Sequence, residues 1–205
     1  MSEISKRWGV FSSKTILIAA VLAFFTSVGT ASAETTLEKI KRTGKTTVGT
    51  EAAFPPFEFI KDGKIVGYGK DILDYIIADL GVELNQLDLP WQGILPGVLA
   101  GKFDFVATSV SIRPERVVKY AYTVPIAEGT VWTMKRAGDD SINSIDDLAG
   151  KVVGTQLASG GEANSKEFEA KLKERGLGGY KALKLYTAYP ESYLALANGE
   201  IDVVV

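Results

Sequence analysis

The stretch Asp71-Ile72-Leu73-Asp74-Tyr75-Ile76-Ile77-Ala78-Asp79-Leu80-Gly81-Val82-Glu83-Leu84-Asn85-Gln86-Leu87-Asp88-Leu89 decides the fold class. Ile72, Leu73, Ile76, Ile77 and Leu80 recur at helical spacing and make one apolar face. Gly81 follows the last of them, where a left-handed residue commonly ends a helix. Val82 to Leu89 then alternates as a strand. Upstream, Leu37 to Lys41 reads as a short amphipathic helix and Lys45 to Thr50 as a buried strand. Phe57 to Ile60 and Ile65 to Val66 flank Asp62-Gly63, a hairpin turn signal. Downstream, a short helix over Ile94 to Leu99 is predicted to open near Pro96 and close at Gly101, before a strand at Phe103 to Thr108. This β-α-β-α-β order implies parallel strands with right-handed crossovers, an α/β protein.

A second α/β series follows a linking strand at Thr130 to Lys135. Ser144 and Asp147 open a helical turn ending at Gly150. Lys151 to Thr155 reads as a strand, Gly161 to Arg175 as a charged helix closed by Gly176, and Leu183 to Tyr186 as a strand. Pro190 starts a helix at its favoured first position, and Ile201 to Val205 is a further strand. The polar Arg136 to Asp140 suits a boundary between two lobes. No sequence repeat, low-complexity tract or block of like charge is visible.

The 205 residues include no cysteine and no histidine, and the net charge is −2. Disulfides, thiolate zinc, thiol nucleophiles, imidazole bases and His-ligated metals are therefore excluded. Near-neutral charge argues against nucleic-acid binding, which needs a basic stripe to displace counterions. Lys6 and Arg7, the apolar run Ile16 to Phe25 and Ala31-Ser32-Ala33 have the order of a cleavable secretory signal peptide. The apolar run is too short to span a bilayer. Export to the periplasm is expected, with the mature chain starting at Glu34. The Val203-Val204-Val205 run has no turn or cap after it; it reads either as a C-terminal edge strand or, the reading favoured here, as a fragment cut in mid-strand.

Candidate ligand residues gather at strand exits. Thr108-Ser109-Val110-Ser111-Ile112-Arg113-Pro114-Glu115-Arg116 places hydroxyls at the carboxyl end of a predicted strand, where open α/β sheets bind ligands, followed by two arginines. A guanidinium there can grip a carboxylate bidentately; the same pattern also fits a solvated sheet edge. Ala158-Ser159-Gly160-Gly161 lies between a strand and a helix, open to an anion at the helix N-terminus, or simply a flexible loop. Neither it nor Gly67-Tyr68-Gly69 is a nucleotide-binding signature. Phe54 and Trp91 follow strands and either wall a pocket or pack in a core. Glu51 supplies negative charge beside Phe54 or is an exposed strand-end carboxylate.

These pieces have a family order. Val48-Gly49-Thr50-Glu51-Ala52-Ala53-Phe54-Pro55-Pro56-Phe57, Gly67-Tyr68, Trp91-Gln92-Gly93-Ile94-Leu95-Pro96 and Gly101-Lys102-Phe103-Asp104 come first. Ser111-Ile112-Arg113-Pro114-Glu115-Arg116, Leu148-Ala149-Gly150-Lys151-Val152-Val153-Gly154 and Asn198-Gly199-Glu200-Ile201-Asp202 follow. With them the chain resembles the family 3 bacterial extracellular solute-binding proteins, periplasmic receptors of polar amino-acid ABC transporters. The resemblance implies a two-lobed periplasmic-binding-protein type II fold, hinged between lobes. Residues 1–33 would be signal peptide, 34–131 lobe 1 and 132–205 an incomplete lobe 2 lacking the return to the first lobe. The family's ammonium-binding aspartate would fall just after Val205.

By the same resemblance Arg116 would clamp an α-carboxylate with the Ser111 backbone and the Ser159/Gly160 helix terminus. Thr108 and Ser109 would help hold the ammonium, Phe54 and Trp91 would sandwich the side chain, and Glu51 would favour a cationic or polar one. An opine or other amino-acid derivative fits equally well. The implied partners are a small amino acid or derivative and an inner-membrane ABC permease. The protein would be a monomer without cofactor, metal or nucleic acid, and not inserted in a membrane once the signal is cleaved. Arg113 replaces the hydroxyl residue usual in its motif. Gly69-Lys70 stands where relatives carry an acidic residue, a change that bears on helix capping. Two other classes remain: a cyclohexadienyl dehydratase-like enzyme with Glu51 as acid, and the ligand-sensing domain of a membrane receptor.

Overall fold

A computed structural model describes residues 33–205. The expected signal peptide, but for Ala33, lies outside the described residues. Ile40–Val205 closes on itself as one compact unit, separate from the residues up to Lys39.

Helix α1 (Thr36–Thr43) leads into β1 (Lys45–Thr50), whose Thr46, Val48 and Thr50 are buried on one face. A three-stranded antiparallel meander follows: β2 (Ala53–Phe54), β3 (Glu58–Lys61) and β4 (Lys64–Val66). Helix α2 (Tyr68–Leu80) ends as predicted at Gly81, which adopts φ 64° and donates to the Ala78 and Ile77 carbonyls. β5 (Glu83–Asp88), α3 (Trp91–Leu99) and β6 (Phe105–Val106) follow. The first parallel sheet has the order β5-β1-β6.

After α4 (Pro114–Val117) and β7 (Met134–Lys135), a 3-10 turn at Asp146–Leu148 leads to β8 (Val152–Gln156). Then come α5 (Gly160–Glu174), β9 (Ala182–Tyr186), α6 (Tyr189–Ala197) and β10 (Val203–Val204). The second sheet has the order β7-β10-β8-β9, with only β7 antiparallel. Its core is Ile142, Leu148, Val153, Leu172, Val203 and Val205.

The two sheets are built alike, although no sequence repeat is visible. Val48-Gly49-Thr50 on β1 corresponds to Val153-Gly154-Thr155 on β8. Gly49 and Gly154 each admit a neighbour into the space of a side chain: Phe103 in the first lobe, Ile201 in the second. Asp104 accepts from Thr47 N at 2.9 Å, and Asp202 from Val152 N at 2.8 Å. Thr50 donates to Ala107 O at 2.8 Å, and Thr155 to Val205 O at 2.7 Å. Trp91 and Tyr189 both begin the helix before this segment. Few identities survive, so the repeat shows in contacts rather than in letters.

Several element boundaries depart from expectation: β7 holds two residues rather than Thr130 to Lys135, and β10 holds two rather than Ile201 to Val205. Helix α3 opens at Trp91 rather than near Pro96, which lies inside the helix and forgoes one backbone donor there. Helix α2 opens at Tyr68 rather than Asp71, which puts Gly69 and Lys70 inside it; Lys70 pairs with Asp74 one turn on. Strand β6 holds two residues rather than six, because Thr108 and Ser109 leave the ladder to bond Glu58.

Candidate functional site

The site follows from the repeat. The residue after Val-Gly-Thr at the carboxyl end of the central strand is Glu51 in one lobe and Gln156 in the other. The two meet: Gln156 Nε2 donates to Glu51 Oε1 at 2.5 Å and to Thr187 O at 3.1 Å. Glu51 is only 7% exposed. Burial, opposed by the Gln156 bond and reinforced by Asp88 and Glu58, pushes its carboxyl up to about 7. A cleft of about 240 Å³ opens beside it, lined by Asp88, Pro90, Thr187 and Ala188 among others.

Arg116 is the second centre. It is buried at 9% exposure, and Nη1 and Nη2 donate to Ser111 O and Ala158 O, each at 3.3 Å. Its guanidinium carbon lies 5.4 Å from the Trp91 ring, a cation–π distance. Ser111 belongs to the first lobe and Ala158 to the second, so one cation ties both. Both described hydrogen bonds end on carbonyl oxygens. The charge therefore has dipoles around it and N–H donors left for an anion. Burial presses its pKa below the ordinary arginine value. The charge also acts on Tyr122, whose hydroxyl is buried without a hydrogen-bond partner.

The other expected residues divide. Ser159 caps α5, accepting from Glu162 N at 3.3 Å, and Gly160 begins that helix against Ser111. Trp91 reaches the other lobe, its Nε1 donating to Ala158 O at 2.9 Å. Phe54 stacks on Phe57 at 5.8 Å and tilts against Tyr189 at 5.7 Å; the described ring contacts do not pair it with Trp91. Thr108 Oγ1 and Ser109 Oγ both donate to Glu58, each at 3.2 Å, and Ser109 N adds a third bond at 3.2 Å. Hydroxyls that donate to Glu58 keep lone pairs free to accept from a cation.

Sequence reasoning missed Glu58, Gln156, Tyr189 and Tyr122. Glu58, on the predicted hairpin strand, is 2% exposed, and burial raises its pKa. The one signal for it was Gly69, where a side chain would collide with its Oε1. The arginine in the hydroxyl position, Arg113, pairs with Glu115 on its own lobe and with Glu167 on α5.

No helix among the described residues is long and apolar enough to cross a membrane. Similarity to known proteins is consistent across most of the chain. L-cystine-binding protein TcyJ of Escherichia coli (strain K12) is 30% identical over 191 residues, 92% of this chain and 68% of that protein. Solved structures of an ancestral arginine-binding protein, bound to glutamine and to arginine, are each 34% identical, with TM-scores of 0.70 and 0.69. They match 78% of this chain, which covers 68% and 69% of theirs. The ancestral amino acid-binding protein AncCDT-1, a precursor of cyclohexadienyl dehydratase, is 28% identical with a TM-score of 0.71, over 83% of this chain and 73% of that one. The fold is thus the two-lobed type II binding-protein fold. The model of the bacterial extracellular solute-binding proteins, family 3, matches residues 46–200, and the chain belongs to that family.

Proposed function

We propose that the chain captures an amino acid between its lobes for an ABC importer. The observation that carries this reading is Arg116, a buried cation shared by both lobes and held by carbonyls rather than carboxylates. The ligand's α-carboxylate supplies the anion, with the Ser111 backbone and the Ser159/Gly160 end of α5 beside it. The Thr108 and Ser109 hydroxyls, oriented by Glu58, accept from the ammonium. Phe54 and Trp91 border the side chain, and Glu51 with Asp88 at the cleft favours a cationic or polar one. Contacts divided between lobes exist together only when the lobes are closed, so ligand stabilises closure.

In this reading residues 34–131 form the first lobe and 132–205 belong to the second. The protein works as a periplasmic monomer, delivered by its signal peptide, and docks on an inner-membrane permease. Relatives named for cystine and arginine support an amino-acid or derived ligand. The test is calorimetric titration of the chain and of Arg116→Ala with L-arginine and L-cystine. Saturable binding that the substitution removes supports the reading; binding unchanged in the variant refutes it.

One observation favours a second reading. A carboxyl raised to about 7 in a cleft has the poise of a general acid, and AncCDT-1 is described as an enzyme's precursor. Incubation with prephenate or arogenate separates the two: dehydrating decarboxylation of either supports an enzyme, and recovery of unchanged substrate supports binding alone.

A further inference from the structure

We propose that Arg113 is a charged latch that holds the lobes closed and slows ligand release. The proposal rests on the interlobe cleft being the amino-acid site. Arg113 precedes Pro114 at the start of α4, and its carbonyl accepts from Arg116 N at 2.9 Å and Val117 N at 3.1 Å. The turn that presents Arg116 is thereby pinned to residue 113. The Arg113 side chain leaves this turn and crosses to the second lobe. Nη1 donates to Asn164 Oδ1 at 3.0 Å and Nη2 to Glu167 Oε1 at 3.2 Å. Nε donates to Glu115 Oε1 at 2.7 Å on the home lobe. Asn164 and Glu167 are three residues apart on α5 and share one face, so a planar guanidinium meets both at once.

Other described side-chain hydrogen bonds between the lobes lack this opposed pair of charges. Trp91 and Gln92 donate to the carbonyls of Ala158, Leu157 and Thr187. Among the described residues, Arg113–Glu167 is the salt bridge that joins the lobes. The Arg113 side chain is 17% exposed, whereas those of Glu115 and Glu167 are 59% and 58% exposed. The cation is thus partly dry while its acceptors stay wet, so the bond responds to dissolved salt. Separating the lobes breaks both bonds to α5 and leaves Arg113 on Glu115. The same side chain therefore favours closure only while the lobes touch, and it acts on the turn that carries Arg116.

The experiment uses the full chain, whose lack of cysteine lets a dye pair be attached at introduced cysteines. Exposed Lys61 and Lys171, on opposite lobes, are suitable positions. Energy transfer without any amino acid reports closure from about 10 mM to about 1 M salt, over which the screening length falls from about 30 to about 3 Å. Wild type opens as salt rises. Arg113→Met and Glu167→Gln open already at low salt, lose the salt response, and give no further opening when combined. In a second arm, stopped-flow release of L-arginine at low salt is about fivefold faster in Arg113→Met. Energy transfer and salt response identical to wild type in both variants overturn the latch. If L-arginine does not bind, the energy-transfer arm still decides the latch while the amino-acid reading fails.

Discussion

Replacing Glu51 by Gln probes the centre of the cleft with almost no change of shape. Glu51 is buried where Asp88 and Glu58 add negative charge, and its carboxyl rises from an ordinary 4.5 to about 7. In the unfolded chain the group loses its proton near 4.5; in the fold it holds it to about 7. The folded state thus binds the extra proton, and stability falls as pH rises between those values. The contribution is fully present below about 4.5 and is lost as pH passes about 7. A displacement of this size corresponds to at most about 3.5 kcal/mol, because each pH unit is worth about 1.4 kcal/mol. For a chain of this length that is at most about 7–14 °C in Tm. Glu58 is raised too, so the quantity to measure is the difference between wild type and Glu51→Gln, not either curve alone. Ligand-free thermal melts from about pH 5 to about pH 8 should show wild type losing Tm relative to the variant. Parallel curves would refute the burial argument.

Gly49→Ala and Gly154→Ala each drive a methyl into a packed neighbour, Phe103 or Ile201, and should each cost about 1–3 kcal/mol in denaturant unfolding. A large effect in one lobe and none in the other would contradict the structural repeat. Ser159→Ala removes the cap that accepts from Glu162 N and should cost about 1 kcal/mol, read by the same unfolding curves; no change would remove Ser159 from the account of α5.

Much of the framework is legible in the letters because local physics writes it there. The helix through Leu80, the Gly81 stop and the Asp62-Gly63 turn each depend on near neighbours and stand in the structure, although of the helix's apolar face only Leu73 is buried and Ile76 is exposed. Where distant partners decide, the letters are silent. Thr108 and Ser109 extend a strand by composition, yet a carboxylate fifty residues earlier draws them out of the ladder. Gln156 reads as an ordinary strand end until the second lobe places it on Glu51, 105 positions away. Nothing near Glu58 in sequence marks it as buried, yet it is 2% exposed. Only the space that Gly69 vacates shows that this one turns inward.

The family resemblance implies one site from Arg116, Ser111, Ser159 and Gly160; in the structure Arg116 bonds the Ser111 and Ala158 carbonyls, and Gly160 lies against Ser111. It gives Phe54 a different neighbour: Tyr189, which begins α6 as Trp91 begins α3. Trp91 and Tyr189 thus stand at equivalent positions of the two halves, a consequence of the repeat that single motifs do not reveal.

The central claim is that Arg116 holds the carboxylate of an amino acid between the lobes. The most direct measurement is calorimetry of L-arginine against its carboxyl amide, on wild type and on Arg116→Ala. The account predicts that wild type binds L-arginine and that both the amide and the variant lose the heat of binding. Equal binding of acid and amide, or full affinity in Arg116→Ala, would contradict it.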